Sequence, residues 1–124
     1  MPVILLIDDE QRILTMLKMG LEAYGYQVEI AASGEEGIDK FNNDHFDIVI
    51  TDMEMPGMDG RGVVHNIRKS ERYRTPIIGV SGNPQLLEGT DFNTTLPKPF
   101  SIKALVESVN SLASKSVEAV AAGI

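Results

Sequence analysis

Five short apolar runs, separated by longer amphipathic stretches, constrain this chain more than any of its other features. The runs are Val3 to Ile7, Val28 to Ala31, Ile48 to Thr51, Ile77 to Val80 and a weaker one from Thr94 to Leu96. Their shortness and lack of polar alternation match strands covered on both faces. In the first intervening stretch Ile13, Leu14, Leu17, Leu21 and Tyr24 recur at helical spacing, ending at Gly25, which suits a left-handed C-cap. Ser33 followed by Glu36 predicts a capping box for a second helix carrying Ile38 and Phe41, and Val63, Val64 and Ile67 predict a third after Asp59 and Gly60. A short fourth helix is expected around Pro84 to Glu88. Ser101 is the expected N-cap of a fifth, whose stripe is Ile102, Leu105, Val106, Val109 and Leu112. Strict alternation with right-handed crossovers gives a doubly wound, five-stranded parallel α/β sheet with five helices.

With 124 residues, 43% of them hydrophobic, there is enough core for one domain and too little for two. The absence of Cys excludes disulfide frameworks, thiolate zinc sites and thiol nucleophiles. A formal net charge of −7 disfavours binding to a nucleic-acid backbone by this domain. The opening segment has no basic stretch and meets Asp8 and Asp9 too early for a leader or a membrane span, so a cytoplasmic chain without membrane contact is expected. Residues 1–115 are expected to form the domain and residues 116–124 a frayed tail.

Ligands of open α/β sheets sit beyond the carboxyl ends of the strands, where the strand order reverses. After the first run come Asp8 and Asp9, after the third Asp52, after the fourth Ser81 and after the fifth Lys98. Carboxylates crowded together repel unless cations compensate, and a small hard ion such as Mg2+ suits two or three of them. Metal and lysine together can neutralise a phosphoryl group, and a carboxylate can itself be the nucleophile.

In Leu5-Leu6-Ile7-Asp8-Asp9-Glu10, Asp52-Met53-Glu54-Met55-Pro56-Gly57-Met58-Asp59-Gly60, Val80-Ser81-Gly82 and Lys98-Pro99-Phe100 the sequence resembles the response-regulator receiver domain of two-component signalling. The resemblance covers about residues 3 to 115 and implies a flavodoxin-like sheet of order 2-1-3-4-5. It implies that Asp52 is the phosphoacceptor. Asp8, Asp9, Asp52 and the Glu54 backbone carbonyl would hold Mg2+ (or Mn2+), Ser81 would be the switch hydroxyl, and Lys98 would pair with the phosphoryl oxygens across a cis Lys98–Pro99 bond. The amides of Met53 and Gly82 are expected to stabilise the phosphoryl charge. Implied partners are a sensor histidine kinase or phosphotransfer protein and a downstream protein on the face of helix four, strand five and helix five. The implied chemistry is self-phosphorylation and autodephosphorylation, not that of a turnover enzyme.

The residues also admit other readings. Asp8 and Asp9 fit an Asx turn and N-cap, and Asp52 alone fits a solvated loop. Met53, Met55 and Met58 read as packing, and His45 and His65 as surface or helix-face groups. Gly79-Val80-Ser81-Gly82-Asn83 lacks the last glycine of a hydrolase elbow and no histidine follows Ser81. A haloacid-dehalogenase-type phosphatase would need acids after the lysine, where only Glu107 and Glu118 stand, and room for a cap domain. A receiver-like adaptor that is never phosphorylated would not need the acids, Ser81 and Lys98 together. The family's aromatic switch position holds Thr95, and neither Phe92 nor Phe100 is an obvious substitute. Gly89 to Leu96 looks long for the family and Pro97 removes a strand donor, so weaker coupling is expected. Glu54 and Asn83 are expected to modulate phosphoryl lifetime.

Overall fold

Alternate residues of a strand face opposite ways, so unbroken apolar runs need cover on both sides. A computed structural model, which describes residues 2–122 and side chains as far as residue 113, supplies that cover. Strands β1 (Val3–Ile7), β2 (Gln27–Ala31), β3 (Ile48–Asp52), β4 (Ile77–Ser81) and β5 (Thr94–Pro97) form one parallel sheet in the order β2-β1-β3-β4-β5. Helices α1 (Gln11–Ala23), α2 (Gly34–Asn43), α3 (Gly60–Arg68) and α4 (Ile102–Ala122) flank it. One face buries Ile4, Leu6, Ile50 and Val80 under Leu14, Leu21, Leu105 and Val109 of α1 and α4. The other buries Leu5, Ile7, Val49 and Ile77 under Phe41, Val63 and Ile67 of α2 and α3. Register follows from this division: Leu6 pairs with Ile30 and Ile50, and Ile50 with Ile78, so residues facing one core stay together across the sheet.

The local signals act as their chemistry requires. Gly25 follows the end of α1 at φ +94° and donates to the Glu22 carbonyl at 3.0 Å. Ser33 accepts the Glu36 amide, while the Glu36 carboxylate reaches back to the Ala32 amide, one residue earlier than in a reciprocal capping box. Asp59 and Ser101 accept the amides of Gly62 and Ala104 and so open α3 and α4.

The fourth of the five expected helices is corrected: Pro84–Leu87 makes a single 3-10 turn. Gly89 then turns at φ +73°. Asn93 holds the end of the connection to β4, its amide donating to the Ile77 carbonyl and its side chain accepting the Ile77 amide. The chain must return along the length of β4 between these fixed points, and on the way Phe92 is laid over Gly79. The fifth expected helix is therefore α4. The expected tail over residues 116–124 lies outside the described side chains. Among the described residues no helix is long and apolar enough to cross a membrane.

Candidate functional site

Parallel strands end on one rim, and this rim gathers the polar residues that follow or close β1, β3, β4 and β5. Asp8 and Asp52 are buried and Asp9 is exposed, yet carboxylate oxygens of all three lie within 4.8 Å of one another. The Lys98 ammonium stands 3.2 Å from Asp52 Oδ1 and 3.8 Å from Asp8 Oδ2. Its backbone is anchored by donation to the Ser81 carbonyl at 2.8 Å, and the Lys98–Pro99 bond is cis.

Burial pushes the Asp8 carboxyl up to about 6, against the Glu10 amide that its Oδ1 accepts at 2.9 Å; Asp52 and Asp9 add repulsion and Lys98 relieves some of it. Burial likewise raises Asp52, against the pull of Lys98 and of the Glu54 backbone amide. For Lys98 burial acts downward, but Asp52 and Asp8 outweigh it and hold the ammonium above its ordinary value. Three clustered carboxylates facing this ammonium thus retain uncompensated negative charge, and their hard oxygen donors fit a small divalent cation.

Asp8 accepts the Glu10 amide, as its turn reading expects, and the same residue joins the acidic cluster with Asp9 and Asp52. One expectation is corrected. The Met53 amide donates to the Val80 carbonyl at 2.9 Å as part of the β3–β4 ladder, whereas the Glu54 amide is directed at Asp52. The signal for it was available: Asp52 stands to Glu54 as Asp8 does to Glu10, an i to i+2 carboxylate turn.

Ser81 is fully buried and donates to Glu54 Oε1 at 2.9 Å, a contact between residues 27 apart that no local pattern announces. Asn83 contributes through its backbone, whose amide donates to Ser81 Oγ at 2.9 Å. Thr95 is exposed opposite Gly79 in the β4–β5 register. Phe92 packs on the α2–α3 side of the sheet and Phe100 on the α1–α4 side. Met53 and Met55 are buried packing, His65 is exposed on α3, and His45 lies 3.2 Å from Asp47 at the surface. Beyond Lys98 an apolar groove of about 490 Å³ runs between α1 and the start of α4, lined by residues including Ile13, Leu17, Phe100 and Ile102.

Comparison with known proteins agrees with this geometry. Residues 4–110 match the family model described as the response regulator receiver domain. The transcriptional regulatory protein ResD of Bacillus subtilis is 36% identical over 114 residues, covering 88% of this chain and 47% of ResD. The chain spans about half the length of the curated relatives it matches. The response regulator TrrA of Thermotoga maritima, solved in complex with Mg2+-BeF, superposes with a TM-score of 0.84 at 34% identity over 90% of this chain and 99% of that one. The receiver domain of a sensor histidine kinase from Pseudomonas aeruginosa, solved with a magnesium ion in its active site cleft, gives 0.82 at 27% identity over 90% and 96%. From its acid-lined rim to its 2-1-3-4-5 sheet, this chain belongs to the response-regulator receiver domain family of two-component systems.

Proposed function

We propose that Asp52 is a phosphoacceptor, taking a phosphoryl group from a phosphohistidine of a sensor histidine kinase or phosphotransfer protein. An Asp52 oxygen attacks phosphorus, the P–N bond breaks, its electron pair returns to the imidazole, and an acyl phosphate forms. Water later attacks that phosphorus, releasing inorganic phosphate and restoring the carboxylate. The cycle is slow signalling chemistry, with the altered shape of the domain as its product.

Asp8, Asp9, Asp52 and the Glu54 carbonyl would hold Mg2+, or Mn2+ in its place, which when bound supplies positive charge against the phosphoryl oxygens. Lys98 stands on the Asp52 side of the cluster and supplies the protein's own cation. The Glu54 amide orients the Asp52 carboxylate, and the amide of Gly82, the residue after Ser81, would add a donor to the phosphoryl oxygens. Drawing Ser81 toward a phosphorylated Asp52 moves the turn after β4 and biases the surface made by Pro84–Leu87, β5 and the start of α4, where a downstream protein reads the state. Glu54 and Asn83, both exposed beside the site, govern how water reaches the acyl phosphate; decay rates in Glu54→Ala and Asn83→Ala check this.

The observation that carries the reading is the 3.2 Å approach of Lys98 to an Asp52 carboxylate that also shares a cluster with Asp8 and Asp9. The test is labelling with radioactive acetyl phosphate. Label should require Mg2+ and vanish in Asp52→Asn; a variant labelled as well as the parent under native conditions would overturn the assignment.

A further inference from the structure

The Ser81 hydroxyl has one proton and, in this structure, two acceptors for it: Glu54 Oε1 at 2.9 Å and the Asn83 carbonyl at 3.0 Å. Its oxygen also accepts the Asn83 amide at 2.9 Å. A carboxylate is the stronger acceptor, so the proton is directed chiefly at Glu54. This ties the turn after β4 to the loop after β3 through a side chain that is itself exposed.

We propose that Glu54 is a latch that holds Ser81 in its resting position, and that a phosphoryl group on Asp52 releases it. The inference rests on the reading of Asp52 as phosphoacceptor. Two effects act in the same direction. The phosphoryl oxygens compete for the single Ser81 proton, and their charge, about −2, repels a carboxylate two residues along the chain. Glu54 is at the surface, so moving it into solvent requires no repacking. When Ser81 leaves, the Asn83 amide loses its acceptor, so the same event resets the turn that leads into Pro84–Leu87. Glu54 is a positioning residue, acting through Ser81.

Beryllofluoride at constant Mg2+ is the probe, with Glu54→Ala, Ser81→Ala and the double variant titrated against the parent and the Gly82 and Asn83 amide resonances as readout. Glu54→Ala should tighten binding about three- to ten-fold, the scale of one partly exposed charge-assisted hydrogen bond. Before any probe is added, it should also shift the Asn83 resonance part of the way to its bound position. In the Ser81→Ala background the gain should shrink to the part that comes from charge repulsion. Glu54→Gln, which keeps an acceptor oxygen without the charge, should fall between parent and Glu54→Ala. Equal gains in both backgrounds, or an unmoved Asn83 resonance in free Glu54→Ala, would overturn the latch and leave Asp52 as phosphoacceptor. A parent protein that does not bind beryllofluoride would overturn both. If Ser81→Ala binds too weakly to titrate, the Asn83 resonance decides.

Discussion

The Lys98 backbone amide donates to the Ser81 carbonyl at 2.8 Å, so the residue that brings the ammonium and the residue that brings the hydroxyl are joined through the main chain. A substitution of the Lys98 side chain leaves that join intact. Lys98→Ala should therefore keep the Ser81 and Gly82 amide resonances of the resting protein while lowering the rate of acetyl phosphate labelling at least about 100-fold, the usual effect of removing one charge-stabilising group. Divalent-ion binding should persist, because the carboxylates remain; rapid-mixing labelling and a Mg2+ titration check the two halves.

Asp8 makes the metal-free fold pH-sensitive. Its folded value of about 6 lies above the ordinary 3.8, so the native state holds this proton more tightly than the unfolded chain does. Stability from this group is fully present below the ordinary value and is lost as pH rises through 6. Asp8→Asn should thus gain on the parent progressively between about pH 4 and pH 6, levelling at no more than about 3 kcal/mol. Urea unfolding in chelator across that window measures the gap, and saturating Mg2+ should close or reverse it, since the ion stabilises the ionised parent site.

An ideal Cβ on Gly79 would lie 2.6 Å from the Phe92 ring. Gly79→Ala should cost about 1–3 kcal/mol through overpacking, and Gly79→Ala with Phe92→Leu should recover part of the loss. Denaturant midpoints of the two variants and of Phe92→Leu alone settle whether the contact is responsible.

Thr95 lies exposed on β5, and Phe92 and Phe100 are committed to opposite cores. Amide shift changes on adding beryllofluoride and Mg2+ should therefore be largest at Ser81 to Leu87 and weaker, though present, along β5 and the start of α4. A full-size response across β5 and α4 would show that coupling does not need an aromatic at Thr95.

The three central strands β1, β3 and β4 were readable because they are buried on both faces, and the runs in the half-exposed edge strands β2 and β5 are correspondingly weaker; all five runs lie within the observed strands. The acids and Lys98 were readable because a parallel sheet sends whatever follows its strands to one rim. The connection from β4 to β5 was not, since its path is set by Asn93 bonding Ile77 and by Phe92 covering Gly79, contacts that carry no period. The Ser81–Glu54 bond was hidden for the same reason. The Glu54 amide was missed although the Asp8–Glu10 turn offered the same spacing, because the ladder position of Met53 is fixed only once the β3–β4 register is known.

All five strands point the same way, so the connections that lead into them gather at the end of the molecule opposite the acids and Lys98. Gly25 sits at that far end between α1 and β2, and although an added Cβ would meet nothing within 4 Å, its φ of +94° keeps the position for glycine. A fluorophore carried instead by the exposed neighbour Tyr24 would travel with the domain at the end away from the acids and Lys98, giving experimenters a handle that leaves the glycine turn intact.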